Sequence, residues 1–302
     1  CLPVTSGFLR LPELPDMVAT YYAMPRPVIK TLQHAACLLA LCLLPLWSSA
    51  QPTKDGVNVG EASTLRKLVP AEQLEHSAAR DYRQMMREAA DQRALAPADH
   101  PQLQRIRAIA RRILPYAARF NPRAERWQWE VNLIGSQQLN AFCMPGGKIV
   151  FYSGIIDKLK LTDDEIAIIM GHEIAHALRE HARERLAKTQ ITYGLASIAS
   201  ELLAGTKYGG LAQLGLQGGS QLLTLKFSRD DESDADAVGL DLAARAGFDP
   251  RAGITLWKKM DAASKGAPPQ WLSTHPAGVN RIKEIERHLP AALPLYKAAR
   301  AQ

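Results

Sequence analysis

The sequence predicts a mostly helical α+β fold with a small β-sheet packed beside one long apolar helix. Three observations predict this class. Stretches rich in Ala, Arg, Glu and Gln have helical periodicity, two short β-rich segments lie close together near the middle of the chain, and an apolar segment with a helix-start signal follows them. With 302 residues, of which 47% are hydrophobic and 22% are charged, the chain can bury a sizeable core.

The N-terminal region differs from the rest of the chain. Residues 1–23 have no clear periodicity, and we interpret them as an upstream extension, with Met24 as the expected start. Arg26 and Lys30 then precede an apolar run over 35–47, and small residues at 48–50 precede Gln51. This order is typical of a cleaved signal peptide, here 24–50, because the run is shorter than the roughly 20 residues that span a bilayer. An uncleaved membrane anchor is the alternative.

Cysteine and charge content exclude several functional classes. Of the four cysteines, Cys1, Cys37, Cys42 and Cys143, only the last lies beyond the predicted cleavage site. This pattern excludes a disulfide framework and a cysteine-based zinc site, and in a secreted chain it fits a bacterial envelope. The net charge of +7 is a mild excess. The arginine-rich segment 105–126 carries apolar residues at helical spacing, so we interpret it as the solvated face of a helix and expect no nucleic-acid partner.

The elements are predicted in the following order. Residues 51–100 form a polar linker and a helix over 61–96, which Pro97 and Pro101 terminate. A second helix covers 102–120 and begins the main domain, 101–290. Strands are predicted over 127–134 and 148–153, with a turn at Pro145-Gly146-Gly147 between them.

The second half of the chain is predicted to be helical. Thr162 and Glu165 form a capping box that starts a helix running to about Lys188. The glycine-rich region 194–219 lies in an apolar stretch expected to form a helix, a loop and a second helix, with charges that keep it below membrane-spanning length. Further helices are predicted from Ser228, from Asp249 and near 276, and residues 291–302 are predicted to form a C-terminal tail.

The segment "IIMGHEIAHALREHARER", residues 168–185, carries the strongest chemical signal. His172 and His176 are four residues apart, so both imidazoles lie on one face of a helix, one turn apart. Glu173 is placed to reach a metal-bound water, and the three residues together predict a metallohydrolase. The alternative is a solvated helix that carries histidines by chance. The apolar residues of 166–170 argue against it, because burying these polar groups without a partner is costly.

Two schemes exist for a third ligand. In the first, a glycine and a histidine follow the motif, but Arg179 and Ala182 occupy those positions, so His181 is predicted to be a packed or hydrogen-bonding residue further along the helix. In the second, a later helix supplies Glu232, with Asp236 one turn further to hold a ligand imidazole. The alternative for these acids is a solvated helix start favoured by the helix dipole, which is our interpretation of Asp230, Asp231 and Asp234.

Four motifs in order resemble one family: "NAFCMPGGKIVFYSGIID", "GHEIAHALREH", "SRDDESDADAVG" and "STHPAGVNRI". The chain from 103 to 289 resembles the HtpX/CAAX-prenyl-protease type of zinc metallopeptidase, and within it the periplasmic short forms that lack a repeat domain. The resemblance implies a gluzincin domain with a small sheet beside the active-site helix, and one Zn²⁺ per chain. It implies His172, His176 and Glu232 as metal ligands, Glu173 as the general base, and Asp236 as a partner of a ligand imidazole.

The resemblance adds further site residues. His275 matches a family histidine near the metal, which would either donate to the oxyanion or cap the zinc at rest. Arg281 matches the family arginine that assists or braces the site. The segment Asn140, Ala141 and Phe142 matches a substrate-aligning edge strand, where an extended peptide pairs through its backbone; a plain core hairpin is the alternative.

We therefore expect a zinc metalloendopeptidase of the bacterial periplasm, associated at most peripherally with the outer membrane. Its expected partners are unfolded or misassembled proteins and the envelope assembly machinery. Quality control of envelope proteins is a family-level analogy. The alternative is a chaperone-like assembly factor for outer-membrane proteins with a mostly silent protease site.

Overall fold

The computed structural model describes residues 55–204, 226–264, 270–275 and 281–301, with the backbone alone for 193–204. All of them belong to one unit, Lys54–Gln302. The predicted extension, the predicted signal peptide, residues 205–219 of the glycine-rich region and the helix start predicted near 276 lie outside the described residues. Helices pack around a small sheet, which confirms the predicted fold class. Within the part of the chain that the structure describes, no helix has the length and apolar character needed to cross a membrane.

The N-terminal helices are shorter than the sequence predicts. A 3-10 turn, Thr64–Leu68, precedes helix α1, Ala71–Asp91, because Pro70 holds an extended conformation at the N-cap. Helix α2 covers Pro101–Ile113 and continues into the 3-10 turns Leu114–Arg119 and Pro122–Arg126. The apolar face of α2 is buried, which confirms the amphipathic interpretation: Leu103, Ile106, Ile109, Ala110 and Ile113.

The sheet has three strands in the order β1-β3-β2. Strand β1, Glu130–Ile134, runs parallel to β3, Lys148–Tyr152, and β2, Ala141–Met144, runs antiparallel to β3. Gly146 and Gly147 adopt φ of +82° and +81° in the turn between β2 and β3. Among the described residues β2 pairs with β3 alone, so its second edge is unpaired. The segment from Asn140 therefore leads into an edge strand.

Helix α4, Asp163–Leu178, forms the centre of the molecule. It follows the short helix α3, Ser153–Leu159, and both hydrogen bonds of the predicted Thr162–Glu165 capping box are present. Every residue of α4 from Glu165 onward is buried. Such all-round burial explains why the sequence is apolar on every face of this helix.

The single helix predicted over 162–188 is broken. Helix α4 ends at Leu178, Glu180 adopts φ of 59°, and a new helix α5 covers His181–Ala204. No glycine makes this bend; instead the side chain of Glu180 accepts hydrogen bonds from Arg66 and Arg183. The contact with Arg66 is tertiary and that with Arg183 is local, and together they stabilise a backbone conformation that is uncommon for a residue other than glycine.

The remaining described helices complete the core. Ser228 and Asp231 form a capping box at the start of helix α6, Arg229–Arg245. Helix α7 covers Ala252–Ala263, one turn after the predicted start, and α8 covers Gln270–Thr274. Helix α9 runs over Arg281–Arg300, so residues 291–300, predicted to be a tail, continue this helix and bury Ala292.

Helices α4 and α6 cross at a pair of glycines. A β-carbon added to Gly171 would lie 2.6 Å from the carbonyl oxygen of Gly239, and one added to Gly239 would lie 2.7 Å from the backbone nitrogen of His172. Because backbone atoms face each other here, neither helix accommodates a side chain without moving. The close approach sets the distance from α4 to the acidic residues of α6.

Gly171→Ala is therefore expected to destabilise the protein, although alanine is the better helix former by about 1 kcal/mol. Overpacking of this kind costs about 1–3 kcal/mol, which chemical denaturation would measure. Gly253→Ala is the matched control, because its nearest neighbours are flexible side-chain atoms of Ile285 at 3.2 Å and beyond. Equal stability of the two variants would contradict the role of the glycine contact.

Candidate active site

Two turns of helix α4 supply the first half of the site. His172 and His176 are 2% and 4% exposed, and their Nε2 atoms are 3.0 Å apart. Glu173, also buried, lies beside them. Both histidines therefore direct the same nitrogen into one buried space, as the spacing in the sequence predicts.

Helix α6 and the segment after α8 supply the second half. Glu232 places Oε2 3.6 Å from His172 Nε2 and Oε1 3.5 Å from His176 Nε2. His275 Nδ1 lies 3.2 Å from His172 Nε2 and 3.0 Å from Glu232 Oε1. One donor atom from each of the four residues lies within 4.8 Å of the other three. Glu232 belongs to this cluster and not to a solvated helix start.

The four donors fit a zinc ion. With bonds of about 2.1 Å, tetrahedral zinc separates its donors by about 3.4 Å. Five of the six donor pairs here are 3.0–3.6 Å apart, and all lie within 4.8 Å. Imidazole nitrogen and carboxylate oxygen are ligands that zinc accepts. Burial lowers the pKa of His176 well below its usual value, and the charges of His172 and His275 lower it further, so its neutral form is available as a ligand.

A layer of ion pairs surrounds the donors. Asp236 Oδ1 lies 3.0 Å from His172 Nδ1. Arg281 donates from Nε and Nη2 to Asp236, at 2.5 and 2.6 Å, and from Nη1 to Glu232 Oε2 at 2.6 Å. Burial alone would raise the pKa of both carboxyls. Arg281 and His172 outweigh it and hold the pKa of Asp236 below its usual value, and His275, His172 and Arg281 do the same for Glu232. Through these contacts Arg281 holds the carboxylates of Asp236 and Glu232 in place.

Glu173 has a partner that the sequence analysis missed. The indole nitrogen of Trp271 donates to Glu173 Oε1 at 2.5 Å, and the indole ring stacks on His275 with 5.0 Å between ring centroids. Trp271 is 1% exposed. Its position four residues before His275, one helical turn away, is the signal that could have identified it.

Two further residues were assigned differently. His181 is hydrogen-bonded, as predicted, but the bend at Glu180 brings it next to His176 instead of further along a straight helix, with 2.9 Å between the Nδ1 atoms. Asp234, interpreted as solvated, accepts from Arg179 Nε at 2.5 Å and lies 3.1 Å from His181 Nε2. Only the bend in the chain, which the sequence does not show, brings these residues together.

A groove of about 780 Å³, including its solvent-filled part, leads to the donor cluster. Its lining includes the segment 140–145, with Asn140, Ala141 and Phe142, and the site residues Glu173, His176 and His275. Leu74 and Glu75 of helix α1 also line it. The predicted substrate-aligning strand therefore borders the site.

The fold and this donor set define a zinc metallopeptidase domain of the gluzincin type. A profile of Peptidase family M48 matches residues 102–289, more than half of the chain. The chain belongs to this family.

The chain is similar in sequence to several proteins that are named as proteases. The mitochondrial metalloendopeptidase OMA1 of Schizosaccharomyces pombe is 34% identical over 213 residues, 70% of this chain and 59% of the relative. The mitochondrial metalloendopeptidase OMA1 of Homo sapiens is 33% identical over 184 residues, 58% of this chain and 35% of the relative. The beta-barrel assembly-enhancing protease of Escherichia coli is 29% identical over 170 residues, 54% of this chain and 35% of the relative. The chain thus spans about a third to three fifths of the length of these relatives.

Proposed function

We propose that the whole protein is a zinc-dependent endopeptidase of the bacterial cell envelope that hydrolyses misfolded or unassembled envelope proteins. The observation that carries the proposal is the Glu173 carboxylate, which lies beside a four-donor cluster in a groove with an unpaired strand edge. An extended polypeptide would add to this edge through backbone hydrogen bonds, which depend little on side-chain identity. Such a site suits unfolded chains.

His172, His176 and Glu232 would hold the zinc. Bound zinc supplies a Lewis acid that polarises a carbonyl and acidifies water. Glu173 takes the proton of the attacking water and passes it to the leaving amine. Because Trp271 donates to Oε1, we assign the proton transfer to Oε2. Asp236 holds the proton-bearing nitrogen of His172, and Arg281 fixes both acidic residues.

The imidazole of His275 lies among the other three donors, so it would be able to act as a fourth ligand and cap the zinc at rest. Structural zinc sites have four protein ligands, whereas catalytic sites keep one position open. In that case the imidazole would have to leave this position before a substrate is cleaved, and after moving it would be available to donate to the oxyanion. A His275 imidazole that caps the zinc would keep the protease site mostly silent. This feature favours the second candidate function, an assembly factor.

His275→Ala is expected to raise casein cleavage about tenfold or more, because it removes a competing ligand; tenfold corresponds to about 1.4 kcal/mol. The measurement is the initial rate relative to the parent at equal zinc content. His76→Ala is the control, since His76 is exposed on α1. A variant slower than the parent would assign His275 to catalysis alone, and no cleavage by either protein would favour the assembly factor.

Two features support an envelope location. The sequence carries the predicted signal peptide 24–50, and the Escherichia coli relative is named for β-barrel assembly. N-terminal sequencing of the protein purified from a periplasmic fraction tests the location: a chain beginning at Gln51 supports it, and an intact leader supports the membrane anchor.

The substrate class is tested by trapping. Glu173→Gln keeps the groove, so crosslinking in envelopes with impaired outer-membrane assembly is expected to retain unassembled β-barrel proteins. Ala71→Trp with Glu173→Gln is the matched control, because Ala71 is partly exposed and lines the groove, where the larger ring would take up space. Equal recovery with the filled groove would contradict the proposal. Crosslinking to an assembly complex would identify the expected machinery partner.

A further inference from the structure

His181 is buried against the donor cluster without belonging to it. It is 4% exposed, and each of its ring nitrogens has one partner: Nδ1 lies 2.9 Å from His176 Nδ1, and Nε2 lies 3.1 Å from Asp234 Oδ2. The left-handed backbone of Glu180, with φ of 59°, places it there. A straight helix would carry the residue at position 181 away from His176.

The proton positions follow from the ligand geometry. His176 directs Nε2 at the other donors, so a neutral imidazole that binds zinc through Nε2 carries its hydrogen on Nδ1. That hydrogen has His181 Nδ1 as its acceptor. His181 must then carry its own hydrogen on Nε2, which donates to the Asp234 carboxylate.

The chain of hydrogen bonds ends at Asp234, and Arg179 holds its carboxylate in place. Arg179 Nε donates to the same Oδ2 of Asp234 at 2.5 Å, and Arg179 Nη2 donates to the carbonyl oxygen of Gly60 at 2.5 Å. The guanidinium is 9% exposed. Asp234 is therefore held as an acceptor by a buried cation.

We propose that His181 is a positioning residue that fixes the tautomer and ring orientation of His176 and connects it to Asp234. Helix α6 then orients both ligand histidines: Asp236 acts directly on His172, and Asp234 acts on His176 through the His181 ring. Partners of this kind raise ligand basicity and typically change metal affinity 10–100-fold. The inference rests on the proposed role of His176 as a ligand.

Two substitutions at 181 separate positioning from packing. In His181→Asn the amide oxygen occupies roughly the place of Nδ1 and accepts from His176, whereas His181→Leu fills the space without an acceptor. If His181 only fills space, leucine is the better replacement at this buried site, and His181→Leu should bind zinc at least as tightly as His181→Asn. If His181 positions His176, His181→Asn should bind zinc more tightly. We expect zinc affinity, measured by chelator competition on the full chain at fixed pH, to fall about 10–100-fold in His181→Leu and to be largely restored in His181→Asn.

His76→Leu, at an exposed histidine on α1, is the matched control and should bind zinc like the parent. Zinc binding by His181→Leu as tight as by His181→Asn would overturn the inference. His176→Ala separates this outcome from failure of the ligand assignment. If His176→Ala also binds zinc normally, the ligand set is wrong; if it loses zinc while His181→Leu does not, only the role of His181 is wrong.

A measurement on the parent protein tests the same inference if the variants at 181 fail to fold. In nitrogen-15 spectra of the zinc-loaded chain, His181 should have a bare Nδ1 and a protonated Nε2. The chain has only eight histidines, so each ring can be assigned. A proton on His181 Nδ1 would overturn the inference.

Discussion

Glu173→Gln is expected to reduce cleavage of casein by about two to four orders of magnitude, the usual contribution of a general base. Glutamine keeps the size of the side chain, and its amide oxygen still accepts the hydrogen bond from Trp271 Nε1, 2.5 Å from Glu173 Oε1 in the parent. The amide cannot take up a proton at neutral pH. Zinc content should be unchanged, because Glu173 is outside the donor cluster.

The decisive comparison is the rate of casein cleavage by the purified variant relative to the parent, with zinc measured in the same samples. Glu125→Gln, a substitution in the 3-10 turn Pro122–Arg126 away from the groove, is a matched control that should cleave normally. Full activity of Glu173→Gln would refute its assignment as the base.

Glu232→Ala is expected to lower zinc affinity by more than the roughly 10–100-fold associated with a hydrogen-bonding partner of a ligand. The substitution removes an anionic donor that lies 3.5 and 3.6 Å from the two imidazole nitrogens. It also leaves Arg281 with Asp236 as its remaining carboxylate partner, so a buried positive charge is less well compensated. Elemental analysis of the dialysed protein measures the effect.

Asp230→Ala is the matched control for this experiment, because Asp230 is an exposed acidic residue at the start of the same helix. It should retain the zinc stoichiometry of the parent. Unchanged stoichiometry in Glu232→Ala would mean that another residue is the third ligand.

The sequence predicted the site best where the chemistry is local. The spacing of His172 and His176 requires only one helix, and the Thr162 capping box fixes where that helix begins. The predicted fold class, zinc cofactor and family are confirmed. Glu232 and His275 lie far along the chain from the motif. The residues alone offered Glu232 as one of two schemes for the third ligand, and the resemblance to a family favoured it and placed His275 near the metal.

The largest error, the unbroken helix, has a physical cause. The left-handed backbone at Glu180 is accompanied by a hydrogen bond from Arg66, 114 positions earlier in the chain, in addition to the local one from Arg183, three residues further on. Local propensity contains no information about such contacts. The same break brought His181 and Asp234 into the site, although the sequence suggested neither position.

The sequence by itself determined that the chain is mostly helical, the two-histidine motif with its adjacent carboxylate, and hence the class of chemistry. The tertiary structure decided which distant groups complete the site. The contact of Gly171 with Gly239 sets the spacing of α4 and α6, and the bend at Glu180 sets the position of His181. Periodicity and capping act over a few residues, whereas a metal site needs donors within a few ångströms, and only packing of the whole chain brings them there.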